Sequence, residues 1–362
     1  MIFFVGPLPP PVHGFSVINA AMLARFQAAG TVAVFDRTPA PGRGRLGRLS
    51  HALALWARFV RGLRAAPPGS GLYIGLSGGL GQLMDLPFVL AARLLSRPVL
   101  VHHHSFAYLR VRPWHARWVL GLLRGARHIA LCDCMADALT AAYRIPRPRV
   151  SVLSNAAFLP APQAGPPPAP EPVPEPGVLS LGFLSNISAE KGIWAFLALG
   201  DALVAQGLAV RALVAGPPAA GIAARLAQEL AERPWCRHLG AVYGADKADF
   251  LRRIDVLVFP TFYANEAEPV TVLEALGAGV PVLANQRGCL RELVPAGAGA
   301  VFADDAQFVP LAAARLQAWV QAGAEAWQQR RSAAQAAYAA LQAEHSARLA
   351  TIVAEGMRGM AA

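Results

Sequence analysis

The chain is short of charge and has no lysine in its first half. Only 15% of its 362 residues are charged, against 55% hydrophobic, a balance that excludes an extended disordered protein and allows two domains of ordinary size. Cysteine is scarce: Cys132, Cys134, Cys236 and Cys289 form no disulfide framework and no four-ligand zinc spacing, so a reducing compartment is expected. No uninterrupted apolar run reaches the roughly 18 residues that a membrane-spanning helix needs. The first residues, MIFFVGPLPPP, lack a basic segment and break after a few apolar positions, so they read as a strand and not as a signal peptide.

The charge that is present is uneven. Residues 1–160 hold 18 Arg and no Lys against four Asp, a formal +14, so the rest of the chain must carry −3 to reach the overall +11. Within this basic half, His51 to Arg64 and Trp114 to Arg127 mix Trp, Phe and Leu with Arg at helical spacing. Such helices suit an anionic membrane surface. No helix-turn-helix, zinc or RNP pattern accompanies the arginines, so nucleic acid is not expected as a partner.

Alternating apolar runs and helical patterns organise the chain as α/β. Ile2 to Val5 predicts a strand, followed by the loop GPLPPPVHG and a helix from about Phe15 to Ala29. Gly14 sits where that loop meets the helix, where backbone can approach an anionic ligand. Further strands are expected at Val32 to Phe35, Leu72 to Gly75, Pro98 to Val101, Ile129 to Cys132 and Val150 to Leu153, with Gly42 to Arg48 as a basic loop. His102, His103 and His104 follow one of these strands; alternating faces of an extended chain keep three adjacent histidines from ligating one metal. Nine of the seventeen residues from Pro160 to Pro176 are proline, which predicts a stiff linker. The expected domains are 1–159, linker 160–176, 177–340, and a C-terminal helix over 341–362 packing back toward the first domain. Alanine-rich helices are expected over Asp305 to Tyr338 and Gln342 to Met357.

Beyond the linker, strands are expected at Val178 to Phe183 and Ala209 to Ala215, and the stretch Asp255 to Val294 then reads as strand, acidic loop, helix, strand. In such units ligands sit at the carboxyl ends of strands, against helix N-termini. Pro269 opens the helix, leaving the amides of Val270 and Thr271 free to hold a diphosphate. Glu274 shares a helix face with Val270 and offers two acceptor oxygens to a ribose diol, while Glu266 in the loop would face a sugar.

Glu266 to Val282, with the E-x7-E spacing and the run EALGAGVPV, followed by Gly288 and Glu292, resembles the retaining family 4 glycosyltransferases, glycosyl transferases group 1. The resemblance implies the GT-B architecture: two Rossmann-like domains facing across a cleft, the first on the acceptor side and the second binding the nucleotide sugar. It implies a glycosyltransferase of the hexosyltransferase type that moves a sugar from a nucleoside-diphosphate donor to an acceptor hydroxyl with retention. It also implies Lys191 on the donor diphosphate. The family arginine partnering that lysine is replaced by Asn186, which can donate hydrogen bonds but carries no charge. By the same resemblance His104, with His103 as the alternative, faces the donor sugar; the loop at Gly14 faces phosphate or acceptor; and Tyr243 borders the base. The catalytic set is thus His104, Lys191 and Glu266, with Gly14, Asn186, Val270, Thr271, Glu274 and Tyr243 as donor-binding residues.

Neither cofactor nor metal is expected, in keeping with the absence of an Asp-x-Asp pair. The expected partners are a nucleotide sugar, a glycan or lipid-linked acceptor of bacterial surface polysaccharide or glycolipid assembly, and an anionic membrane. The expected location is cytoplasmic, peripheral on the inner face of the cell membrane. Two other functions fit the same scaffold: a catalytically weak sugar-nucleotide-binding assembly protein, and another enzyme such as a sugar phosphorylase or epimerase.

Overall fold

The structure, a computed structural model, describes residues 1–10, 12–38, 44–161 and 177–359. Most of the proline-rich stretch, 162–176, and part of the Gly42 to Arg48 segment lie outside the described residues. The chain divides into two compact units, Met1–Phe158 with Ala343–Ala362, and Leu159–Gln342.

In the first unit the strands are β1 (Ile2–Gly6), β2 (Val32–Asp36), β3 (Gly71–Leu76), β4 (Val99–His103), β5 (Arg127–Ala130) and β6 (Val150–Val152). Between them run α1 (Gly14–Ala29), α2 (Arg45–Ala65), α3 (Gln82–Leu94), α4 (Ala107–Arg110), α5 (Trp114–Leu122) and α6 (Asp133–Tyr143). All strand pairs are parallel, in the order β2-β1-β3-β4-β5-β6. Helices cover both faces of such a sheet, which is why β1 and β3 read as unbroken apolar runs and are fully buried. Phe4, Phe26 and Tyr73 form the centre of one core, with Phe4 stacked on Tyr73 at 4.8 Å. Each such side chain contributes on the order of 2–3 kcal/mol by leaving water.

The second unit repeats the plan with β7 (Val178–Leu184), β8 (Ala209–Ala215), β9 (Cys236–His238), β10 (Val256–Phe259), β11 (Val282–Asn285) and β12 (Gly299–Phe302). Its helices are α7 (Ile193–Ala205), α8 (Ala223–Ala231), α9 (Gly244–Arg252), α10 (Val270–Gly277), α11 (Leu290–Leu293), α12 (Phe308–Gln321) and α13 (Gly323–Gly359). The parallel order β12-β11-β10-β7-β8-β9 makes β7 the first strand and places its two neighbours, β8 and β10, on opposite sides of a switch in winding direction.

Several elements depart from the sequence expectations. The Trp114 to Arg127 segment is not one helix: α5 stops at Leu122, the chain turns with Ala126 donating to the Leu123 carbonyl, and Arg127 opens β5. Arg45 already belongs to α2, so the expected basic loop is helical from that residue on. The strand β12 was not expected at all. It begins with Gly299, where a Cβ would stand 2.1 Å from the Val282 carbonyl, so this edge strand starts with a residue that sequence patterns read as a turn. The C-terminal helices are divided differently too: α13 is continuous over 37 residues, because nothing around Tyr338 to Gln342 breaks an alanine-rich helix. Its residues from Ala343 count with the first unit, where Leu349, Ile352 and Val353 join the core of Phe4 and Phe26.

Candidate functional site

The switch in winding of the second unit fixes where its functional side chains gather. The loop after β7 first continues alongside β8, with Ser185 donating to the Ala215 carbonyl at 3.2 Å and Ile187 bridging to Pro218. It then turns tightly, the amides of Lys191 and Gly192 donating to the carbonyls of Ser188 and Ala189. Gly192 caps α7 in the left-handed region at φ +85, and an added Cβ would lie 2.0 Å from the Pro260 carbonyl oxygen. The loop after β10 therefore packs directly on it, and Phe262 donates its amide to the Glu190 carbonyl at 2.7 Å.

This zipper of two loops brings Lys191 and Glu266 together although 75 residues separate them. The Lys191 ammonium lies 2.5 Å from Glu266 Oε2, with 22% and 11% of the two side chains exposed. Thr261 donates its hydroxyl to the same carboxylate oxygen at 3.2 Å, and the Tyr263 ring lies 4.7 Å from the ammonium. The pair is a preformed charge device, an ammonium being a compact charge on a four-carbon stem.

One turn further on, α10 begins as the sequence predicts. Its hydrogen-bond ladder starts with Val272 and Leu273 donating to the Pro269 carbonyl, so the half-buried amides of Val270 and Thr271 precede it. No acidic residue occupies the first turn, and the helix end is left open to an anion. The loop of Gly288 folds back here, Cys289 donating to the Ala267 carbonyl at 2.9 Å, and a Cβ at Gly288 would lie 2.4 Å from the carbonyl oxygens of Glu266 and Ala267.

Glu274 projects from α10 and is met by Lys247 of α9, whose ammonium contacts Glu274 Oε1. Sequence reasoning missed Lys247, although a signal was available. It is one of only two lysines in the chain, the other being Lys191. A cavity of about 290 Å³ opens beside the pair, walled by Leu251, Gly277 and Tyr338. Tyr243 caps the start of α9, exposed and one turn before Lys247. Asn186 is exposed at the start of the β7 loop.

In the first unit Gly14 is the exposed first residue of α1, whose start is fastened by a reciprocal pair of bonds between His13 and Ser16. Asn19, one turn in, donates to the Pro7 carbonyl at 3.1 Å and so ties α1 to the loop after β1. The Phe15 ring lies 4.7 Å from that of His104, which stands half-buried just beyond the end of β4. Burial pushes the His104 imidazole down to about 3, so it is neutral near pH 7.

His102 and His103 lie inside β4, fully buried, because each finds a partner there. His102 pairs with the Tyr73 hydroxyl at 2.8 Å. His103 belongs to a chain whose proton positions follow from its last member. The Leu123 carbonyl can only accept, so His128 Nε2 carries a proton and donates to it. His128 Nδ1 must then accept from His103 Nε2, which leaves His103 Nδ1 to accept from the Tyr108 hydroxyl. Both nitrogens of His103 are thus committed within the fold, and burial holds its pKa well below the usual value.

The structure therefore brings together Lys191 with Glu266, and the α10 amides with Glu274 and the unforeseen Lys247. Gly14 and His104 meet through Phe15 in the other unit.

Residues 178–319 match the family model described as glycosyl transferases group 1. Among solved structures, HepE of Anabaena in complex with UDP-glucose is similar with a TM-score of 0.71 and 16% identity, over 99% of both chains. The lipopolysaccharide outer core galactosyltransferase WaaB in its apo form gives 0.68 and 13%, over 98% of both. A glycosyltransferase from Rickettsia africae gives 0.68 and 12%, over 98% of this chain and 99% of the other. These likenesses establish the shared fold. No curated protein matches the chain in sequence.

Proposed function

We propose that this chain, which carries a glycosyl transferases group 1 domain on a GT-B fold, transfers a sugar from a nucleoside-diphosphate donor to an acceptor hydroxyl with retention at the anomeric carbon. What supports the reading most is the Lys191–Glu266 pair, set where β7 and β10 part and beside the open start of α10. A diphosphate leaves readily once its charge is met. Lys191 would move from Glu266 to the departing phosphate, joined by the amides of Val270 and Thr271. Glu266, relieved of its cation, would take the hydroxyls of the transferred sugar, and Glu274 those of the ribose. Tyr243 would lie along the base, and Asn186 would donate to the phosphates without adding charge. The departing phosphate can accept the acceptor's proton, so the chemistry rests on positioning and fixed charge and calls for no metal. For the first unit the reading assigns His104 a hydrogen-bonding role as a neutral imidazole, and the Gly14 amide an anion-facing one.

Thermal denaturation against a panel of nucleotide sugars tests this. One nucleoside-diphosphate sugar, at about a hundred times its dissociation constant, is expected to stabilise the protein by about 2.7 kcal/mol, a shift of roughly 5 °C or more. The reading falls if no nucleotide sugar moves the transition and Glu274→Ala changes nothing.

The acceptor we propose is a lipid-linked glycan of a bacterial surface polysaccharide or a glycolipid, reached from the cytoplasmic face of the membrane. Arg110, Arg112, Arg117, Arg124 and Arg144 line a broad surface groove along α4 to α6, and Trp114 and Trp118 stand 62% and 69% exposed within it. Among the described residues no helix is long and apolar enough to cross a membrane, so contact would be peripheral. Sedimentation with vesicles containing anionic lipid is expected to capture the protein at low salt and to release it as salt rises, at about 1 kcal/mol per basic residue near the surface. Failure to bind at low salt removes the lipid part.

The exposed Asn186, standing where the family carries an arginine, favours one other reading, a sugar-nucleotide-binding protein with little turnover. Donor binding without product would select it, and activity gained by Asn186→Arg would confirm what the substitution cost.

A further inference from the structure

We infer that Lys247 is a positioning residue of the donor site, which holds Glu274 by one oxygen so that the other is turned to the ribose diol. The inference rests on the glycosyltransferase reading of that site.

The chain has 33 cationic side chains, of which Lys191 and Lys247 alone are lysine. Both contact a glutamate of the E-x7-E motif, Lys191 on Glu266 and Lys247 on Glu274. Residue type matters here. An arginine fork engages both oxygens of a carboxylate at once, whereas an ammonium is a compact charge that can take one and leave the other. Lys247 makes its contact to Oε1. The contact joins α9 to α10, so it also fixes the rotamer of a side chain that otherwise would sweep the cavity beside it.

Electrostatics within the cavity agree with a carboxylate held in place. Tyr338 also lines it, its ring beside Gly277 of α10, and its phenol is pushed up to about 12 by burial and by the charge of Glu274. The space, about 290 Å³, falls just short of the range for small-molecule sites, about 300 Å³ and upward. From α10 it is lined by Glu274 and Gly277, and Val270 lies one helical turn before Glu274. A diphosphate at the Val270 amide would therefore put its ribose one helical turn away, at Glu274.

If Lys247 acts through Glu274, its loss must appear as lost recognition of the ribose and not as a general weakening. The probes are UDP, GDP, ADP and CDP, each measured by calorimetry beside its 2′-deoxy form. The wild-type chain is expected to prefer the ribonucleotide of its best base by about tenfold. Lys247→Met is expected to bring that preference within about twofold, as is Glu274→Gln, and the double variant is expected to lose no more than either alone. Melting temperatures are compared throughout, and Lys247→Gln takes the place of the Met variant should that one fail to fold. A Lys247→Met chain that binds nucleotide with the wild-type preference intact overturns the inference alone. A wild-type chain that binds none of the nucleotides overturns the glycosyltransferase reading and takes this inference with it.

Discussion

Lys191→Ala is expected to lower kcat by about 10²- to 10³-fold, with a smaller change in donor KM. The magnitude is that of removing one preorganised donor from a site where charge develops. The split between the two constants follows from where Lys191 rests. Its charge is already met by Glu266 within the fold, so binding the donor exchanges one ionic contact for another and gains little. The gain comes as the bond to the sugar breaks and the diphosphate acquires its full charge, an interaction stronger in the transition state than in the ground state. The local fold also makes this lysine costly to keep without a purpose. It immediately precedes Gly192 at the start of α7, where the helix dipole disfavours a cation, and Glu266 offsets that. Steady-state kinetics of Lys191→Ala and Lys191→Met decide the matter. A rise in KM with kcat unchanged would show that the lysine only binds donor.

Gly192→Ala is expected to cost about 3 kcal/mol or more of stability and to weaken donor binding at the same time. Two effects add. The residue sits at φ +85, where a side chain costs on the order of 1–3 kcal/mol, and the new Cβ would overlap the Pro260 carbonyl, which is backbone and cannot step aside cheaply. Relief requires the loops after β7 and β10 to separate, and that separation draws Lys191 from Glu266. Calorimetry should show a melting temperature lower by roughly 6–12 °C, and titration with nucleotide should show affinity lost in the same variant. Full stability in Gly192→Ala would mean that the two loops adjust independently.

That coupling also explains which parts of the molecule could be read in advance. The apolar runs of β1, β7 and β10 announce themselves because both faces of a covered parallel sheet are buried, and the turn at Pro269 announces α10 because proline suits a helix start. Glu266 and Glu274 are legible because one loop and one helix turn hold them in a short span. Lys247 is not, because its partner lies 27 residues on and only the packing of α9 against α10 joins them. His103 and His104 look alike in the sequence. They differ in the structure because Tyr108 and His128 reach one and not the other. The strand β12 is hidden for a different reason: the glycine that opens it serves the close approach of β11, while in a sequence the same residue marks a turn.

The lysine economy of the chain has a spectroscopic consequence. Reductive methylation with isotope-labelled formaldehyde keeps the charge of an amine and gives it a sharp methyl resonance. In this chain only Lys191, Lys247 and the N-terminal amine can carry such a label. The ε-amines therefore become two separate reporters, one on the carboxylate meant for the sugar and one on the carboxylate meant for the ribose, and the occupancy of each half of the donor site can be followed with no amino-acid substitution.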